Sequence, residues 1–67
     1  MDYPYNGWRI EVRTTRLLDG KQCHVFILLH QPQPYTPAIP LDVPEPVPLL
    51  GAYETALALA KEHIDKM

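Results

Sequence analysis

The chain has 67 residues, with eight acidic and six basic side chains, three histidines and a single cysteine. A chain of this length forms one domain at most and buries only about 60% of the surface that it exposes when unfolded. An intrachain disulfide is excluded because Cys23 has no second cysteine to pair with, and the net charge of −2 argues against general capture of nucleic acid or anionic lipid. We therefore expect a single domain over residues 1–67, for which a partner subunit is the remaining common source of stability.

We expect neither a signal peptide nor a membrane-spanning segment in this sequence. The first ten residues, MDYPYNGWRI, have neither the basic region nor the apolar run of a signal peptide. The longest apolar run, Val25 to Leu29, is far too short to cross a bilayer. Together with the single cysteine, these features lead us to expect a cytoplasmic protein.

Two segments in the first half of the chain have the pattern of β-strands. GWRIEVRT alternates between apolar and charged residues, which predicts a strand with one buried face, and QCHVFILLH predicts a second strand. Asp19-Gly20 between them is a strong hairpin signal. If these two residues form the turn, Val12 lies opposite Ile27, and a slip by one residue would move the apolar side chains to the wrong face. We predict an antiparallel β-hairpin over residues 8–30.

The last segment, GAYETALALAKEHIDKM, predicts a helix over residues 51–66, because its apolar residues recur at helical spacing. The predicted apolar stripe is Tyr53, Ala56, Leu57, Ala60, Ile64 and Met67. An isolated hairpin and a short helix are each marginal in water, so we expect the helix to cover the apolar side of the hairpin. The predicted fold is a small α+β domain with two or three antiparallel strands.

Residues 32–48 contain seven of the eight prolines and also five large apolar or aromatic side chains. A free tether would lack this apolar content, and the PxxP patterns here lack the flanking basic residue of most SH3 ligands. Alternate positions from Tyr35 to Val43 are apolar or proline, which predicts a third strand; because proline cannot donate to a ladder, that strand belongs at a sheet edge. We expect a broken edge strand followed by an extended crossing, with a tether or a hinge for domain swapping as the alternatives.

The residues with reactive or metal-binding side chains do not form a recognisable site. His24 and His30 are six residues apart on one predicted strand, about 20 Å, so they cannot share a metal within one subunit. The predicted register buries Cys23 in the core, where free cysteines are common and inert. The three glycines are scattered and form no phosphate loop. We predict no catalytic, cofactor-binding or metal-binding residue, and we do not expect an enzyme.

The outer face of the hairpin is the better candidate for function. The predicted register gathers six residues there: Arg9, Arg13, His24, Phe26, Leu28 and His30. Phe26 and Leu28 would form an exposed apolar pair on a monomer, and apolar patches mark interaction surfaces. We predict a non-enzymatic protein–protein interaction module, homodimeric through this face, with an interaction surface of Arg9, Arg13, Phe26, Leu28 and Tyr35. Cover of the same pair by residues 32–48 is an equal possibility, and single-stranded nucleic acid is the alternative ligand.

The segments YNGWRIEV, LLDGKQCHVFIL and YETALALAKEHID resemble a loose group of small uncharacterised bacterial proteins. That group has an amino-terminal Tyr-x-Gly-aromatic hairpin and an Ala-rich carboxyl-terminal helix that ends in Ile-Asp. The matching positions are Tyr5, Gly7, Trp8, Glu54, Ala56, Ala60, Ile64 and Asp65. The resemblance covers about the first thirty and the last fifteen residues, but not the proline segment. It implies an intracellular bacterial protein with a sheet-plus-helix fold and no transferable activity.

Overall fold

A computed structural model describes residues 1–67, which form one antiparallel sheet and one helix. In chain order the elements are β1 (Asp2–Tyr5), β2 (Trp8–Arg16), β3 (Gln22–His30), β4 (Ile39–Asp42), β5 (Val47–Pro48) and α1 (Ala52–Asp65). The strands lie in the order β1-β2-β3-β4, and β5 pairs with β3 beyond the end of β4. The helix covers one face of the sheet, so the predicted α+β fold is confirmed.

The register between β2 and β3 is the predicted one, with Val12 opposite Ile27. One face of these strands is therefore apolar and faces the helix. Ten side chains form the core: Ile10, Val12, Cys23, Val25, Ile27, Leu29, Ala52, Ala56, Ala60 and Ile64. Four of them form a row along α1 in which every fourth residue is buried, and three of these four are alanine, which allows the helix to approach the sheet closely.

The predicted helical stripe was wrong at two positions. Tyr53 and Met67 are 39% and 61% exposed, whereas Ala52, which the stripe omitted, is buried. The sheet contacts a narrow row of small side chains, and the larger Tyr53 lies on the flank of that row. Gly51 precedes the helix with a φ of 81°, a left-handed conformation that glycine adopts without strain.

The hairpin turn differs from the predicted two-residue turn. Leu17 and Gln22 close the turn, since the backbone N–H of Leu17 donates to the carbonyl of Gln22 at 2.9 Å, and four residues, 18–21, lie between them. The backbone N–H of Gly20 donates to the carbonyl of Leu17 at 3.0 Å. The carboxylate of Asp19 accepts a hydrogen bond from the backbone N–H of Lys21 at 2.9 Å, which stabilises the wider turn. The two strands are shortened equally by this loop, so the predicted register is unchanged.

The first strand was missed by the sequence prediction. Asn6 and Gly7 connect β1 to β2, and their φ angles of 48° and 84° are both positive. Tyr5 and Trp8 pair on either side of them, so this is a two-residue hairpin of the kind that Asn-Gly favours. Positive φ at both positions explains why glycine follows asparagine here.

The proline segment forms the predicted broken edge strand. β4 and β5 both pair with β3 along one edge, and residues 43–46 between them lie opposite only two residues of β3. This bulge contains Pro44 and Pro46. Tyr35 and Pro37, which were expected to share the strand with Ile39, lie before its first residue; Tyr35 is fully exposed in a turn with a φ of 64°.

Prolines within the edge strands point their nitrogens away from the sheet. The backbone N–H of Leu17 donates to the carbonyl of Gln22, so Leu17 and Gln22 form a hydrogen-bonded pair. Because hydrogen-bonded pairs alternate along an antiparallel ladder, the backbone groups of the even-numbered residues of β3 point towards β2, and those of the odd-numbered residues point towards β4 and β5. Pro40 and Pro48 lie opposite even residues of β3 and therefore have no bond to make to it. By the same alternation, the bond from the N–H of Val12 to the carbonyl of Met1 places the nitrogen of Pro4 on the outer side of β1.

Candidate protein interface

The sheet face opposite the helix, called the outer face below, has no covering element. Its residues are Asp2, Pro4, Arg9, Glu11, Arg13, Thr15, Gln22, His24, Phe26, Leu28, His30, Pro40, Asp42 and Pro48. Strand β4 of the proline segment runs beside Phe26 and Leu28 rather than across them, because Asp42 pairs with Phe26 and Pro40 with Leu28. Cover of these two side chains by the proline segment is therefore excluded.

Two cross-strand rows form the centre of the outer face. In the first, Phe26 lies between Arg13 of β2 and Asp42 of β4, and it is 48% exposed. In the second, Leu28 lies between Glu11 and Pro40 and is half-buried. The centre is thus apolar, and the charged residues of the first row lie on opposite sides of the aromatic ring.

Glu11 organises the charged part of the face. Its two carboxylate oxygens accept hydrogen bonds from Nε2 of His30 at 2.9 Å and from Nε of Arg13 at 2.6 Å. Its side chain is only 14% exposed. The hydrogen bond from His30, and next that from Arg13, hold the pKa of Glu11 below its ordinary value of 4.5. The hydrogen bonds from His30 and Arg13 thus stabilise the charged form of Glu11, although its side chain is largely shielded from solvent.

Each of the two arginines of the face uses one guanidinium nitrogen and keeps two without a bond. Nη1 of Arg9 donates to Asp2 at 2.9 Å, in an ion pair that is half exposed on both sides. Arg13 uses only Nε, so both of its terminal nitrogens are free, and its side chain is 71% exposed. Asp42 makes no hydrogen bond or ion pair within the chain. The face therefore presents unused guanidinium nitrogens on both arginines and one unused carboxylate, that of Asp42.

Four of the five predicted interaction residues lie together on this face: Arg9, Arg13, Phe26 and Leu28. Tyr35 lies in the turn before β4, outside the sheet, and is therefore not part of the outer face. Asp2 and Asp42 were missed. Asp42 lies two residues after Pro40 in the predicted edge strand, so alternation alone would have placed both residues on the same face. Asp2 could be placed on this face only once β1 was recognised as a strand.

A second polar cluster joins β1 to the helix on the inner side of the sheet. The hydroxyl of Tyr5 donates to the carboxylate of Asp65, with distances of 2.9 and 3.0 Å to its two oxygens. The ammonium of Lys61 lies over the rings of Tyr3 and Tyr5, 4.8 and 5.5 Å from their centroids. The hydrogen bond to Asp65 raises the pKa of Tyr5 above 10.0. This cluster holds the first strand against the end of the helix.

The buried thiol, the metal-binding side chains and the groove beside the helix do not form a better candidate site than the outer face. Cys23 is a free thiol with no exposed surface, and no three His, Cys, Asp or Glu side chains are grouped for a metal ion. An open groove of about 220 Å³ lies between β4 and the helix, where the ammonium of Lys66 is already bonded to Glu62 at 2.8 Å. The 14-residue helix is too short and too polar to span a bilayer.

Comparisons with models of protein families, with curated proteins and with solved structures gave no match to this chain.

Proposed function

We propose that this chain is a non-enzymatic protein–protein interaction module that associates with a second copy of itself through the outer face. The supporting observation is Phe26, a phenylalanine that is 48% exposed at the centre of a sheet face that no other element covers. Leu28 and Pro40 extend the apolar centre beside it, and charged residues surround it. An apolar centre with a polar rim is the usual anatomy of a protein interface.

The size of the face suits a weak dimer rather than a permanent one. With strands about 4.8 Å apart and a rise of about 3.3 Å per residue, the five strands outline roughly 450 Å² before side-chain relief is counted. A standard interface buries about 800 Å² per partner. We therefore expect a dimer that dissociates on dilution.

The charges on the face favour a protein partner over single-stranded nucleic acid. Arg9 and Arg13 are outnumbered by the carboxylates of Asp2, Glu11 and Asp42, and each arginine is already bonded to one of them. Nucleic-acid binding depends on basic groups that neutralise phosphates. A labelled single-stranded oligonucleotide at low salt should show no change in fluorescence anisotropy. Binding that is lost in Arg9→Ala and Arg13→Ala would assign the face to nucleic acid instead.

The test of the dimer is sedimentation velocity over a wide range of protein concentrations. Phe26→Asp should shift the chain to the monomer and retain its circular dichroism spectrum, because the ring is half exposed and a buried carboxylate at an interface is costly. Leu59→Asp is the matched control, because Leu59 is 40% exposed but lies on the helix side of the sheet. A wild-type chain that is monomeric at every concentration, or a Phe26→Asp variant that dimerises normally, would refute the proposed function.

A further inference from the structure

We propose that the two copies pack their outer faces about a two-fold axis parallel to β3, so that Arg13 of each copy pairs with the partner subunit's Asp42. This inference depends on the proposed function and specifies the orientation of its partner. It follows from one cross-strand row, in which Phe26 separates Arg13 on β2 from Asp42 on β4.

The two groups have unused capacity for this pair. Arg13 bonds Glu11 through Nε alone, which leaves both terminal nitrogens for a carboxylate on the opposite sheet. Asp42 has no partner within its own chain. An arginine that uses its terminal nitrogens on a carboxylate forms a directional and charge-assisted contact. Packed sheets lie about 10 Å apart, a gap that an arginine and an aspartate reaching from opposite sides can span.

A two-fold axis parallel to β3 brings these groups together. Rotation about this axis places β3 over the partner subunit's β3, and β2 over the partner subunit's β4. Positions along the strand direction are unchanged. The row from Arg13 through Phe26 to Asp42 then lies over the same row in reverse order. Phe26 meets the partner subunit's Phe26, and each dimer contains two Arg13–Asp42 pairs.

The other in-plane axis, perpendicular to the strands, is disfavoured by the same charges. It places β2 over the partner subunit's β2 in the opposite direction. Centred on the Phe26 row, it brings Arg13 against the partner subunit's Arg13. If the axis is shifted so that Arg13 lies over the partner subunit's Glu11, Arg13 meets a carboxylate whose two oxygens are already bonded. Asp42 then stays unpaired. Of these two axes, only the one parallel to β3 pairs Arg13 with the partner subunit's Asp42.

Mixing two charge-reversal variants tests this orientation directly. Arg13→Asp alone and Asp42→Arg alone should each lower self-association about ten-fold, since both pairs of each homodimer become like-charged. An equimolar mixture should recover dimers, because both pairs of the heterodimer are then attractive. A label on one variant in sedimentation velocity distinguishes heterodimers from homodimers. Arg16→Asp is the control, since it makes the same charge change on the helix side of the sheet and should self-associate like the wild type.

The outcomes separate this inference from the proposed function. If Phe26→Asp dissociates the dimer but either charge variant self-associates normally, or the mixture fails to recover, the orientation is wrong and the outer face remains the interface. If the wild type never dimerises, both proposals fail. If Arg13→Asp does not fold, because its carboxylate lies near Glu11, Arg13→Gln replaces it. The mixture with Asp42→Arg should then form more dimer than Asp42→Arg alone, and an equal amount would overturn the orientation.

Discussion

The contribution of Ile27 to stability is the most direct measure of how this fold is held together. Ile27 has no exposed surface and lies in the central strand, between Val12 of β2 and Leu41 of β4. Ile27→Val removes one methylene and leaves a small cavity, which typically costs 0.5–1.5 kcal/mol, or about 1 kcal/mol. A chain of 67 residues has a free energy of unfolding of about 3–10 kcal/mol, so this change is a measurable fraction of the total.

Ile39→Val is the matched control, because it makes the same chemical change in the edge strand β4, where Ile39 is only half-buried. Its cost should be less than half that of Ile27→Val. Urea unfolding followed by circular dichroism gives both values, and thermal unfolding should show a shift of about 4–8 °C for each kcal/mol lost. All variants are compared at one protein concentration, because the proposed dimerisation would add to apparent stability. An equal or larger loss in Ile39→Val would refute the assignment of the core to the centre of the sheet.

Two further predictions concern pH. The raised pKa of Tyr5 means that its neutral form is favoured in the fold, so this contribution is present below pH 10.0 and is lost as pH rises through the raised pKa. Asp65→Asn should lower the pKa at which Tyr5 ionises, seen as tyrosinate absorbance with Tyr5→Phe to identify its signal; coincident titration curves would contradict this. The lowered pKa of Glu11 acts in the opposite direction, with stability present above pH 4.5 and lost as pH falls through the lowered pKa. Glu11→Gln should therefore be less stable than the wild type at neutral pH, with a gap in urea unfolding that narrows in acid; a gap independent of pH would exclude the network as its cause.

The predictable part of this fold was the part where local pattern and turn chemistry agree. Alternation in β2 and the Asp19-Gly20 signal were sufficient for the pairing of Val12 with Ile27. The turn type did not affect the predicted register, because a turn that gains one residue on each side leaves the same residues of β2 and β3 opposite each other. Parity in the proline segment likewise predicted an edge strand, although the strand is shorter than the apolar pattern suggested.

The missed features depend on contacts that alternation does not encode. β1 has a clear Asn6-Gly7 signal, but Pro4 within it argues against a strand unless its nitrogen faces outward, which the sequence does not reveal. Helical spacing includes Tyr53 in the apolar stripe, but the sheet contacts the row of Ala52, Ala56 and Ala60, and Tyr53 is 39% exposed. The bond between Glu11 and His30 is diagonal across two strands, so the register alone could not identify it.

The prolines of this chain bear on where a partner can bind. In Pro4, Pro40 and Pro48 the nitrogen points outward at a sheet edge, where any other residue would present a free N–H to an incoming strand. Such edges are poor templates for strand addition. The remaining uncovered edge is the end of β2 at Thr14 and Arg16, which is short and carries a charge. Because both long edges are blunted while the centre of the outer face keeps an exposed Phe26, the self-association that we propose would use the face of the sheet rather than its edges.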